Sequence, residues 1–314
     1  MKIVVMGSGG VGGYFGARLA AAGNEVTFVA RGAHLAAMQA KGLDVRSAIG
    51  DIHVQPTRAV ADPAEAHAPD AVIFAVKMGD TESAAASLKP ILKPGTPIFT
   101  FQNGVEATDM IAGVVGHGHV VPGVARIASH ISAPGVIEHA SPFARLEFAE
   151  ADNRPSARVD TFHAACRTAG IDATIAPEIV RALWLKFAML APMSGVTTLT
   201  GRTAGPLRSN PDTRALIEAA VQEVIAVGEA AGGWLTAADT ASLVKIVDNL
   251  PEAMTSSMSH DRTAGKPLEL NWLSGAVVRL GLKHGVPTPT HRFIAQALAL
   301  EVAGRKARND EGRR

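Results

Sequence analysis

Apolar residues open the chain in a short unbroken run, Ile3-Val4-Val5-Met6, a pattern suited to a strand buried on both faces of a parallel sheet. Gly7-Ser8-Gly9-Gly10-Val11-Gly12 follows, then small residues over 17–23 that predict a closely packed helix, then a second strand pattern, Glu25-Val26-Thr27-Phe28-Val29. Residues 71–76 predict another buried strand after Pro69-Asp70, 80–88 a helix, and 97–101 a further strand. These are the crossovers of a doubly wound α/β sheet. Val120-Val121, 135–139 and 145–148 predict later strands, with a turn at Ala133-Pro134-Gly135. Beyond Pro177 the period changes. Segments 178–191, 211–232, 236–250 and 268–284 carry helical spacing between Pro and Gly, without strand patterns. The expected organisation is an α/β domain over 1–176, an all-helical domain over 177–304 and a solvated tail over 305–314.

The glycine pattern carries chemistry because of where it sits. Gly7 allows a tight turn, Gly9 lets backbone approach a pyrophosphate, and Gly12 lets helix and strand pack closely. The helix start adds unpaired N–H groups and a partial positive charge. Such a pattern alone is common; a strand before it, a helix after it and a closing strand are the context of a dinucleotide site. Gly7, Ser8, Gly9, Gly10, Val11 and Gly12 are therefore expected along the cofactor phosphates. The end of the second strand distinguishes the dinucleotides, since a carboxylate there serves the 2′-hydroxyl of NAD and an arginine the 2′-phosphate of NADP. This chain reads Ala30-Arg31-Gly32, with no carboxylate at that place. NADPH/NADP is favoured, against the plainer reading of Arg31 as a solvated residue. Lys77 and Asn103 follow strands, on the side where open α/β sheets take ligands, although both residue types are also ordinary in loops.

Composition narrows the picture. With 314 residues, 47% hydrophobic, there is ample core for two domains. A formal net charge of +1 gives no broad field for nucleic acid or an anionic membrane. The single cysteine, Cys166, excludes an intrachain disulfide, and the eleven histidines show no metal-ligand spacing. The first strand begins after one lysine, and no uninterrupted apolar run reaches transmembrane length, so a cytoplasmic protein without a membrane partner is expected. Within the helical half, Lys186 stands in Ala182-Leu183-Trp184-Leu185-Lys186-Phe187-Ala188-Met189-Leu190, apolar on nearly every side. A buried ammonium loses proton affinity and becomes a usable proton donor at neutral pH. The alternative is a lysine that lays its stem over apolar surface to reach water. Ser256, Ser257 and Ser259 offer short hydroxyl donors for a carboxylate. Glu269 after Pro267 opens a helix, where an acid also has a purely structural reason to be.

Gly7-Ser8-Gly9-Gly10-Val11-Gly12-Gly13, Arg31, Lys77, Gln102-Asn103-Gly104, Trp184-Leu185-Lys186, Ser256-Ser257-Met258 and Glu269 together make the chain resemble the ketopantoate reductase family, in order and approximate spacing over nearly its whole length. The resemblance implies a Rossmann-type domain joined to a helical domain like that of 6-phosphogluconate dehydrogenase, and NADPH-dependent reduction of a 2-oxo acid to a 2-hydroxy acid, as in pantothenate biosynthesis. It implies Lys186 as general acid, Lys77, Asn103 and Glu269 near cofactor or reacting centre, Ser257 at the substrate carboxylate and Ala128 at the cofactor. The family pattern has asparagines four and eight residues after the lysine and three before the serine; this chain has Leu190, Ser194 and Met254. A site that has lost amide contacts to a substrate hydroxyl favours a more apolar 2-oxo acid. A reductase for such an acid and a non-catalytic NADPH-binding regulator are the competing readings. The apolar content of the helical half suits a homodimer.

Overall fold

The computed structural model describes residues 1–304, so the tail expected over 305–314 lies outside the described residues. Two compact units divide the chain, Met1–Ala182 and the residues from Leu183 onward. The first contains β1 (Lys2–Met6), α1 (Gly10–Ala21), β2 (Glu25–Val29), α2 (Gly32–Lys41), β3 (Leu43–Ser47), β4 (Ile52–Val54), β5 (Arg58–Val60), β6 (Ala71–Phe74), α3 (Thr81–Leu88), β7 (Ile98–Thr100), α4 (Ala107–Val115), β8 (Val120–Arg126), β9 (Ser129–Ala133), β10 (Val136–His139), β11 (Arg145–Phe148), α5 (Ala157–Thr168) and β12 (Asp172–Ile175). The second is built from α6 (Ile179–Thr200), which begins four residues before the division, α7 (Ala204–Ser209), α8 (Pro211–Ala230), α9 (Ala237–Asp248), α10 (Ser257–Thr263), α11 (Ser274–His284) and α12 (Pro289–Ala297).

The main sheet has the order β12-β11-β8-β7-β6-β1-β2-β5. It is parallel from β5 through β8, and β11 joins it antiparallel. From β1 the chain moves outward through β2 to β5, then returns to the other side of β1 at β6. That reversal leaves a crevice beyond the carboxyl end of β1, where open α/β sheets take ligands. The uniformly apolar run of β1 is explained by two cores. Ile3 and Val5 enter one with Phe15, Phe28, Phe99, Phe148 and Phe162, whereas Val4 and Met6 enter another with Val29, Phe74 and Ile111. A second sheet, β4-β3-β10-β9, packs on the opposite side of α1. The helix lies close between the sheets because it is rich in glycine. A Cβ on Gly16 would come 2.6 Å from Phe28, and one on Gly13 would come 2.9 Å from Ile137.

In the helical unit, α6 runs nine residues past the 191 boundary that its sequence pattern predicts, through Pro192 and Gly195 to Thr200. Among the described residues it is the one helix long and apolar enough to cross a membrane, and 56% of its most apolar window is buried inside the protein. Trp184 fixes its first turns, filling the space over Gly228 and Gly233 so closely that neither position admits a Cβ without displacement. The helix predicted over 268–284 is two pieces: a 3-10 turn, Glu269–Trp272, then α11, parted at Leu273. Buried Glu223 on α8 caps α12, accepting from the backbone N–H groups of Thr290 at 2.6 Å and His291 at 2.9 Å. The ring of His291 is fully buried. Its Nε2–H donates to the Ala220 carbonyl at 3.1 Å and its Nδ1 accepts from Ser274 at 3.2 Å.

Candidate active site

The turn after β1 is shaped for close backbone approach. Gly7 adopts φ +94°, and a Cβ there would lie 2.8 Å from the backbone of Ala75 and Val76. A Cβ on Gly12 would overlap the Gly7 carbonyl oxygen, and one on Gly10 would overlap the Ser129 carbonyl oxygen. Gly9 is the contrast: no atom lies within 4 Å of the place its Cβ would occupy. Gly9 is also the residue preceding α1 and makes no side-chain cap, so the first N–H groups of the helix face outward beside it, with Val11 half-buried. Open space over Gly9 beside the N-terminal donors of a helix is what close approach of a pyrophosphate requires.

Ser8 and Ala128 differ from expectation. The Ser8 hydroxyl and N–H both donate to the Val29 carbonyl, at 3.0 and 3.2 Å, which anchors the turn on β2 and leaves Ser8 no donor for a phosphate. The Ala128 N–H donates to Ser141 Oγ at 3.0 Å, and its carbonyl accepts from Ala140 at 2.8 Å, so its N–H is also committed. His34 on α2 joins the site without any local pattern to announce it. Its Nε2–H donates to the Ser8 carbonyl at 2.9 Å and its Nδ1 accepts from the Gly135 N–H at 3.0 Å. Burial pushes its proton affinity below that of an ordinary histidine, and the Gly135 donor demands the neutral ring. Arg31 sits at the end of β2, exposed, as the residue preceding α2.

Lys77 and Asn103 stand on neighbouring loops after β6 and β7, Lys77 exposed and Asn103 half-buried. Gln102 ties the two loops together. Buried at 6% exposure, it donates to the Val76 carbonyl at 3.1 Å and to Thr81 Oγ1 at 2.8 Å, and accepts from Thr100 at 3.2 Å. Gln102 therefore sets the positions of its neighbours.

In the helical unit, Lys186 is half-buried on α6, where Trp184 two residues before it and Phe187 directly after it are buried. Leu190 and Ser194, at four and eight residues beyond, share its face of the helix. Leu190 is half-buried, and Ser194 is wholly buried with its hydroxyl lacking a hydrogen-bond partner among the described residues. Thr198, one turn further, is in the same condition. The start of α10 is pinned to this helix by Ser256. Its hydroxyl accepts from the Ser259 N–H at 3.1 Å and lies 2.8 Å from Thr197 Oγ1, whose own proton goes to the Met193 carbonyl at 2.6 Å. The Ser256 proton is thereby committed to Thr197. Ser256 thus positions α10 and has no donor left for a substrate carboxylate, which corrects its expected role. Ser257, the first residue of α10, is exposed, as is Met254 before it, and Glu269 is half-buried at the start of the 3-10 turn.

The family model described as ketopantoate reductase PanE/ApbA matches residues 3–153, and its C-terminal counterpart matches 178–301. The 2-dehydropantoate 2-reductase of Mesorhizobium japonicum is 32% identical over 311 residues, covering 92% of this chain and 94% of the relative. A PanE/ApbA family ketopantoate reductase from Ralstonia eutropha superposes with a TM-score of 0.88 at 30% identity, covering 96% of this chain and 98% of that one. The ternary structure of a D-mandelate dehydrogenase with NADH and anilino(oxo)acetate shares the fold, with a TM-score of 0.87 at 20% identity and coverage of 96% and 98%.

Proposed function

The chain belongs to the ketopantoate reductase family, oxidoreductases acting on a ketone or the matching alcohol, and we propose that it reduces a 2-oxo acid to the 2-hydroxy acid with NADPH. The observation that carries this reading is Lys186, an ammonium half-buried in the apolar wall of α6 with Leu190 and Ser194 on its face. The turn over Gly7, Gly9, Gly10, Val11 and Gly12 holds the pyrophosphate through backbone and the start of α1, and Arg31 takes the 2′-phosphate with two parallel hydrogen bonds. Lys77, Asn103 and Glu269 orient the dinucleotide and the reacting carbonyl. The bound dinucleotide supplies the hydride. Lys186 gives its proton to the carbonyl oxygen as that oxygen becomes a hydroxyl, and the neutral amine regains a proton from solvent. Ser257 holds the substrate carboxylate.

Substitution Lys186→Ala tests the assignment. NADPH binding, followed by nicotinamide fluorescence, should persist while turnover falls about 10²- to 10⁴-fold, the usual contribution of a general acid. Undiminished turnover would overturn the role of Lys186. Leu190 supports a more apolar acid than ketopantoate, because a leucine on the Lys186 face offers no hydrogen bond to a substrate hydroxyl. A panel of 2-oxo acids assayed by loss of NADPH absorbance decides: preference for branched apolar acids favours this variant, and preference for ketopantoate the pantothenate role. Tight NADPH binding without turnover of any 2-oxo acid would favour a regulator.

A further inference from the structure

β2 and β6 are the two parallel neighbours of β1, so the loops that follow them flank the glycine turn on either side. The tips of these loops meet. Arg31 Nη1 lies 3.6 Å from the Oδ2 of Asp80, with the two side chains 69% and 53% exposed. Asp80 precedes α3, where an aspartate ordinarily caps the helix, yet its side chain makes no capping bond. Its carboxylate is given to Arg31 instead. The site thus holds the carboxylate that is missing from the end of β2, delivered from the far side of β1 by the loop after β6.

We propose that Asp80 is a specificity-determining residue that gives this site two modes, one for NADPH through Arg31 and one for NADH through its own carboxylate. The inference rests on the reading that the glycine turn holds a nicotinamide dinucleotide. An exposed ion pair at this separation is weak and exchanges readily. A 2′-phosphate offers the guanidinium shorter, charge-assisted, two-point bonding and displaces Asp80 from it. The displaced carboxylate then stands close to the phosphate, and their repulsion lowers the preference for NADPH below what Arg31 alone would give. A ribose 2′-hydroxyl carries no such charge. It donates to Asp80 while the Arg31 pair stays closed.

The test uses the full-length protein and fluorescence titration with NADPH and with NADH, without substrate. Asp80→Asn keeps the shape and removes the charge. It should tighten NADPH, weaken NADH and raise the ratio of the two affinities about tenfold, with the gain shrinking as salt is added. Arg31→Gln should weaken NADPH by at least tenfold and leave NADH within a factor of about three. Asp80→Ser, which removes the carboxylate by another route, should shift the ratio in the same direction as Asp80→Asn. If Arg31→Gln acts as expected but both Asp80 variants leave the ratio unchanged, the role of Asp80 is overturned and the dinucleotide reading stands. If the unaltered protein binds neither dinucleotide, the dinucleotide reading fails and the proposal with it; if it binds both and Arg31→Gln changes nothing, the two-mode proposal is overturned and the dinucleotide reading stands.

Discussion

His291 shows how a single side chain can set the acid limit of the helical unit. Its neutral ring donates from Nε2 to Ala220 and accepts at Nδ1 from Ser274, and burial pushes its pKa down to about 4 against the Glu223 charge, which acts the other way. The unfolded chain binds a proton at this residue near pH 6.5, whereas the folded one resists it until about 4, so the unfolded state carries more protons between those values. Stability is therefore full above pH 6.5 and falls as the pH drops toward 4. Denaturant melts from pH 7 to 4 should show this loss, and His291→Gln should flatten it while lowering stability at pH 7. A slope unchanged in the variant would assign the acid sensitivity elsewhere. His34, neutral for the same reason, holds the carbonyl side of the glycine turn and is an unforeseen neighbour of the site.

At the level of elements, the turn and α1 separate two uses of glycine. Gly12→Ala forces a Cβ onto the Gly7 carbonyl and should destabilise the fold by about 1–3 kcal/mol. Gly9→Ala meets no protein atom, so the melting temperature should hold while dinucleotide affinity falls at least tenfold. Equal thermal losses in the two variants would remove the distinction between packing and cradle. The β1-α1-β2 unit was legible in the sequence because its strands are buried on both faces and its punctuation is glycine. The small sheet was harder to read, since β4 has three residues and β9, Ser129–Ala133, is exposed from His130 to Ala133, polar and apolar residues alike, so no buried face marks it. The end of α6 was hidden by Pro192, Gly195, Thr197 and Thr198, weak helix formers that tertiary burial overrides. Site residues fared similarly. Arg31 and Lys186 stood out by type and setting, whereas the partnership of Arg31 with Asp80 depends on sheet order, which no local pattern encodes.

Across the whole molecule, the three tryptophans, Trp184, Trp234 and Trp272, all fall in the helical unit, while the glycine turn belongs to the other. Tryptophan fluorescence therefore reports one unit and far-ultraviolet circular dichroism both. If Glu269 serves the dinucleotide as proposed, NADPH at a hundred times its Kd should raise both transitions, by about 2.7 kcal/mol for a single cooperative unit. A rise in the dichroism transition with the fluorescence transition unmoved would remove Glu269 from the cofactor site. The hydroxyls of Ser194 and Thr198, without a hydrogen-bond partner among the described residues, bear on the heat tolerance of the fold. A sealed hydroxyl with no partner carries a desolvation penalty that an apolar isostere does not. Ser194 shares the Lys186 face, and selection on the substrate can hold it. Thr198 lies a further turn from Lys186, so Thr198→Val, which keeps the shape and removes the hydroxyl, should raise the melting temperature and leave turnover unchanged.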